Sequence, residues 1–91
     1  MVKELVTIKN PTGLHLRPAG LFCKTAMKFQ SQILVEKQGR NGDVSANAKS
    51  VLSILGACIK YGDEICIQCN GEDEKEALET MVEIVKNGLG E

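Results

Sequence analysis

At 91 residues, 43% of them hydrophobic, and with a net charge of −1, the chain is expected to form one domain. It sits near the lower size limit of a core that stands without staples. Tryptophan is absent and aromatics are only 3%, which argues against base stacking on an aromatic platform and so against a direct nucleic-acid partner. No apolar run is long enough for a bilayer, and the start, Met1-Val2-Lys3-Glu4-Leu5, has no signal-peptide apolar core, so no membrane insertion and a cytoplasmic location are expected.

Residues 2–8 predict a first strand, with Val6 and Ile8 on one side. Asn10-Pro11-Thr12-Gly13 is loop chemistry: Pro fixes φ, Gly supplies φ > 0, and Asn and Thr bond their own backbone. From Leu16 the pattern turns helical. Ala19, Phe22, Cys23 and Ala26 follow i, i+3, i+4, i+7, which predicts a helix to about Lys28 with one apolar face. Pro18 lies in its first turn, where a missing N–H removes no intrahelical bond. Residues 33–36 start a strand, Gly39-Arg40-Asn41-Gly42 turns it, and residues 43–46 pair back, Asn-Gly being a strong hairpin signal. Ser50 opens a shorter helix over residues 51–57. Gly62-Asp63 turns into a strand over 64–69, and Asn70-Gly71 turns again. Asp73 and Glu76 have capping-box spacing for a last helix, with Ala77, Leu78, Met81, Val82 and Val85 as its apolar stripe and Gly88 at its end. The order β-α-β-β-α-β-α reads as α+β, with amphipathic helices over one face of a small sheet. Pattern alone does not say which strands are neighbours.

The only histidine, His15, stands where the first loop becomes helix, in Gly13-Leu14-His15-Leu16-Arg17-Pro18-Ala19. At or beside the N-cap, it lies near the free N–H groups of the first turn, and these with the positive end of the helix dipole favour an anion. Arg17 adds a fork of donors that matches phosphate oxygens and keeps its charge. Imidazole near neutral pH is available as a nucleophile, so a phosphoryl group can be taken on a ring nitrogen, held and passed on. The residues alone admit a second reading, a surface or capping histidine beside an arginine.

Charge is unevenly distributed. Between positions 5 and 35 stand Lys9, Arg17, Lys24 and Lys28 and no acid; from position 61 to 91 there are nine acids and two lysines. A basic half suits docking on acidic partners, while the acids from Glu72 to Glu83 read as the solvated side of the last helix. The four cysteines read as core packing or exposed spectators. Cys66 and Cys69, although spaced C-x-x-C, point to opposite faces of a strand; Cys23 falls on an apolar helix face and Cys58 in an apolar helical segment. Neither a metal site nor a cofactor is expected.

The run Gly-Leu-His-Leu-Arg-Pro-Ala resembles the active-site signature of HPr, the histidine-containing phosphocarrier family of the bacterial phosphoenolpyruvate:sugar phosphotransferase system. Lys49-Ser50-Val51-Leu52 is similar to the family's second signature, Gly62-Asp63-Glu64-Ile65 to its turn into the last strand, and Gly71-Glu72-Asp73-Glu74 to its entry into the last helix. The resemblance spans essentially the whole chain. It implies an open-faced β-sandwich, a four-stranded antiparallel sheet in the order 1-4-2-3 with three helices on one face.

The resemblance also implies a role for each site residue. His15 would accept a phosphoryl group on Nδ1 from phospho-enzyme I and pass it to enzyme II A domains in sugar uptake, as a carrier rather than a stand-alone enzyme. The backbone N–H groups of Leu16 and Arg17, with the Arg17 guanidinium, would hold the phosphoryl oxygens. Ser50 reads first as an N-cap; in low-GC Gram-positive members the matching serine is also phosphorylated by HPr kinase/phosphorylase, and the modified form engages a catabolite-control transcription factor. Val51, Leu52 and Leu55, with Lys24, Lys28 and Lys49, form the expected partner-docking surface, and the chain is expected to act as a monomer.

Two departures stand out. The family more often has a small or polar residue where Leu16 stands, and the chain is about four residues longer between His15 and Ser50, an excess near residues 40–46 that a surface hairpin accommodates at small cost. Two other readings remain: a carrier of the nitrogen-related phosphotransferase branch, and a regulatory binding module acting through Ser50 with His15 idle. The presence of His15 argues against paralogues that have lost it.

Overall fold

The computed structural model describes residues 1–39 and 42–90. In chain order they form β1 (Val2–Thr7), α1 (Leu16–Ala26), β2 (Gln32–Gly39), β3 (Gly42–Asn47), α2 (Val51–Gly56), β4 (Glu64–Asn70) and α3 (Glu74–Lys86). The strands make one antiparallel sheet in the order β1-β4-β2-β3, the order the resemblance implies.

Alternation along each strand explains the two faces. Register places Val6 beside Ile65 and Glu4 beside Ile67, and then Ile67 beside Val35 and Val35 beside Ala46. Val6, Ile65, Ile67, Val35 and Ala46 are buried together with Phe22, Ile54, Met81 and Val85 from the helices. Side chains of opposite parity, among them Leu5 and the Gln68–Glu36 hydrogen bond, lie on the other face, where Leu5 is 61% exposed. All three helices therefore cover one side of the sheet.

Element ends depart from the sequence reading for local reasons. Helix α1 closes at Ala26, and bonds from Lys28 N to Thr25 O and from Phe29 N to Ala26 O tighten the next turn. Strand β2 runs on to Gly39, which pairs with Gly42; the Arg40-Asn41 step expected to turn this hairpin lies outside the described residues. Gly88 ends α3 as expected. It has φ +82, and the bonds Gly88 N to Val85 O and Leu89 N to Ile84 O form a Schellman motif that tucks Leu89 into the core.

The capping box does not form. Asp73 is the N-cap of α3, but its carboxylate makes no cap bond. It turns to the connection after α1 and accepts from Gln30 N at 2.8 Å, Ser31 N at 2.9 Å and the Ser31 hydroxyl. Three donors outweigh one. Glu74 Oε1 reaches back instead, accepting from Gly71 N at 3.2 Å. Gly71 fits only without a side chain, because a Cβ there would stand 2.7 Å from Ser31.

Candidate functional site

His15 is held from both sides by buried neighbours. On its N-terminal side Leu14 is in the core, and Leu14 N–H donates to Ile59 O at 3.0 Å. Gly13 takes φ +66 and lies so close to the next loop that a Cβ would stand 2.7 Å from Ile59 O and Lys60 Cα. The Asn10 amide closes the turn by donating to Gly13 O. On the C-terminal side Pro18 and Ala19 are buried, and Ala19 N–H donates to His15 O at 2.8 Å. His15 is thereby placed outward as the N-cap of α1, in extended backbone at φ −80, ψ −175.

The first turn of α1 is open to an anion. The His15 side chain makes no cap bond and no acid stands in that turn. Among the described residues the N–H groups of Leu16 and Arg17 have no hydrogen-bond partner, and Pro18 has no N–H. Arg17 is exposed and enters no ion pair among the described residues. Its guanidinium and two unpaired amides share the end of the helix with the imidazole, the chemistry an incoming phosphate needs. Leu16 is 64% exposed, an apolar flank to this polar site.

The remaining expected residues divide between two ends of α1. Arg17 and Lys24 are seven residues apart on one stripe of the helix, and Lys28 follows just past its end; all three are exposed. Lys49 is half-buried, and its Nζ donates to Phe29 O at 2.7 Å, capping the chain that leaves α1. Ser50 follows at the N-cap of α2, and its Oγ accepts from Ser53 N at 3.2 Å, the capping role read from sequence. Two further bonds, Asn47 N to Ser53 Oγ and Lys49 N to Asn47 Oδ1, both at 2.9 Å, complete a local network. Leu52 is 83% exposed, while Val51 and Leu55 are half-buried against the core, so the apolar patch beside Ser50 is chiefly Leu52. His15 thus stands at the N-terminal end of α1, while Ser50 follows Lys49, which bonds the chain just past the C-terminal end of that helix.

Elsewhere the site chemistry is quiet. Cys66 and Cys69 face opposite sides of β4, as alternation predicts, and burial, with the charges of Asp73 and Glu74, pushes the Cys69 thiol up to about 11. Burial also raises Cys23. Cys58 is exposed, one residue beyond the C-cap of α2. Among the described residues no group of three or more His, Cys, Asp or Glu is placed to hold a metal ion, and no helix is long and apolar enough to cross a membrane.

Sequence reasoning missed what supports His15 from beneath: the loop after α2, which supplies Ile59 O and the surface on which Gly13 rests. One signal was legible. Lys37 has the same parity on β2 as Ile33 and Val35, so it is a charge on the core-facing side, and its partners were bound to be structural.

Comparison with known proteins agrees with this geometry. A family model described as the PTS HPr component phosphorylation site matches residues 2–87. The chain is 37% identical over 86 residues to the HPr-like protein Crh of Bacillus subtilis, covering 94% of this chain and 96% of that one. It is 37% identical over 87 residues to the phosphocarrier protein HPr of Mycoplasma pneumoniae, covering 94% of each. Among solved structures it is similar to HPr-C-His from Thermoanaerobacter tengcongensis, with a TM-score of 0.88 at 42% identity over 100% of this chain and 98% of that chain. An HPr dimer from the same organism matches at a TM-score of 0.76 and 41% identity over the full length of both. A match that runs through residues 2–87, at this identity and on this sheet order, leads to one conclusion: the chain belongs to the HPr family.

Proposed function

We propose that this chain is a cytoplasmic, single-domain phosphocarrier of the phosphotransferase system. It accepts a phosphoryl group on His15 Nδ1 from phospho-enzyme I and delivers it to enzyme II A domains during sugar uptake. The observation that carries this reading is the open first turn of α1, where an exposed imidazole without a cap bond shares the helix end with two amides and a guanidinium that have no partner among the described residues. In the transfer one N–P bond breaks on the donor histidine as another forms on His15. Catalysis here is positioning and charge stabilisation, completed by the partner. Leu16 N–H, Arg17 N–H and the Arg17 fork receive the phosphoryl oxygens, and exposure leaves the group accessible for the onward step. Leu52, Lys24 and Lys28 supply the docking face. The proposed unit is a monomer, because the whole His15 site is built within one chain; light scattering checks this against the dimeric relative.

Ser50 supports a second, compatible reading. A phosphate at the α2 N-cap adds nearly two charges where a helix start tolerates them, beside exposed Leu52, so it alters docking without altering the fold. Modification there by HPr kinase/phosphorylase, with docking to a catabolite-control transcription factor, is the regulatory role the family resemblance implies, and likeness to the HPr-like protein Crh supports it.

The deciding experiment mixes the protein with enzyme I, Mg²⁺ and phosphoenolpyruvate and follows intact mass beside His15→Ala. One acid-labile phosphate, absent from the variant, is the expected result. No phosphate with enzymes I of both the sugar and the nitrogen-related branches would overturn the carrier reading and leave the Ser50 module.

A further inference from the structure

Lys37 stands in a core-facing row of the sheet, with Ile65 of β4 on one side and Val44 of β3 on the other. An ammonium in that position is unfavourable unless paired. Both of its partners lie on the loop between α2 and β4: Lys37 Nζ is 3.0 Å from Asp63 Oδ2 and donates to Cys58 O at 2.8 Å. The pair is about three-quarters shielded, with side-chain exposures of 20% and 29%. Asp63 Oδ2 also accepts from Lys60 N at 2.8 Å, and Asp63 N donates to Lys60 O at 3.0 Å. The same loop contains Cys58 at φ +54, a left-handed conformation that a residue with a side chain adopts only at a cost.

Between those two anchors lie Ile59 and Lys60, the residues on which Gly13 and Leu14 rest immediately before His15. We propose that Lys37 and Asp63 are positioning residues for His15: their ion pair fixes the loop over residues 58–63 as the platform that sets the backbone of Gly13 and Leu14. The inference rests on the phosphocarrier reading of His15. Keeping the Lys37 ammonium paired and keeping this loop in place are one event, because both acceptors of Lys37 belong to the loop. Burial works against the Asp63 charge, but the Lys60 N–H and the Lys37 side chain hold its carboxyl below the usual carboxylate range.

The test uses the full chain with Lys37→Met, Asp63→Asn and Lys37→Arg, and two readouts. Amide exchange should show Leu14 N–H losing about tenfold in protection in K37M and D63N while Ile67, in the sheet centre, changes far less. With enzyme I and phosphoenolpyruvate, kcat for acceptance should fall about 3- to 10-fold at unchanged KM, because the docking face is untouched and only the acceptor geometry loosens. K37R, which keeps charge and donors, should restore both. Uniform loss of protection at Leu14 and Ile67, or wild-type protection and kcat in K37M, would overturn the positioning role alone. A wild-type chain that takes no phosphate would overturn the carrier reading, and this role with it.

Discussion

Helices α1 and α2 both begin at a polar N-cap in extended backbone, His15 and Ser50, yet they treat the first turn in opposite ways. At α2 the cap hydroxyl accepts from Ser53 N, and Ser53 and Asn47 tie the preceding strand to the same network. At α1 nothing in the described chain accepts from Leu16 or Arg17, and Pro18 removes one further donor. A satisfied start stabilises its own helix; an unsatisfied start keeps affinity for an external anion. The difference suits the proposed carrier role, in which His15 receives and releases a phosphate, and on the same proposal a charge placed on Ser50 would act through the surface around Leu52.

The comparison breaks most sharply at Arg17. Arg17→Ala is expected to lower phosphoryl acceptance by on the order of 10²-fold while leaving the urea midpoint nearly unchanged, because the side chain is exposed and enters no ion pair among the described residues; an undiminished rate would remove Arg17 from the site. Gly13→Ala strikes the support beneath His15. With φ +66 and a Cβ 2.7 Å from Ile59 O, it should destabilise the fold by about 2 kcal/mol, read by urea titration. Ser50→Ala should cost about 1 kcal/mol through the lost cap, and Ser50→Asp only a few tenths; equal effects of the two would show that the hydroxyl bond to Ser53 N contributes little.

The smallest effect is set by pH. The Ser31 hydroxyl, then the Gln30 N–H, hold the Asp73 carboxyl below its usual range, and the Gly71 N–H does the same for Glu74. A carboxyl depressed in the folded state contributes stability that is present above the unfolded value of about 4 and lost as pH falls through the lower folded value. Thermal melts should therefore weaken below about pH 4. Asp73→Asn should flatten that acid limb; an unchanged slope would mean that the contacts to Gln30 and Ser31 do not distinguish the charged form.

Helix α1 was legible because its apolar residues recur at helical spacing and Pro18 and Gly13 mark its start; all of Ala19, Phe22, Cys23 and Ala26 are buried. The Ser50 cap was legible for a similar reason, a local bond to the third residue on. Asp73 was misread because its capping spacing is a local signal, and the donors that won, Gln30 and Ser31, are more than 40 residues away in sequence. Lys49 was read only for its charge, and its bond to the carbonyl of Phe29, 20 residues away, was not legible in the sequence. Local rules cannot see acceptors that only packing brings near.

By itself the sequence determined the order of elements, the faces they bury and the chemistry gathered at His15, Arg17 and Ser50, since periodicity and capping act within a few residues. Its signature runs resembled the HPr family and so carried the strand order, which no periodicity contains. Only the tertiary structure decided that the loop over residues 58–63 supports Gly13 and Leu14. It alone brought Lys37 to Asp63 and to the Cys58 carbonyl of that loop, and Lys49, the neighbour of Ser50, to the chain leaving α1. These depend on distances between segments far apart in the chain, and such distances exist only once the sheet has closed beneath the helices.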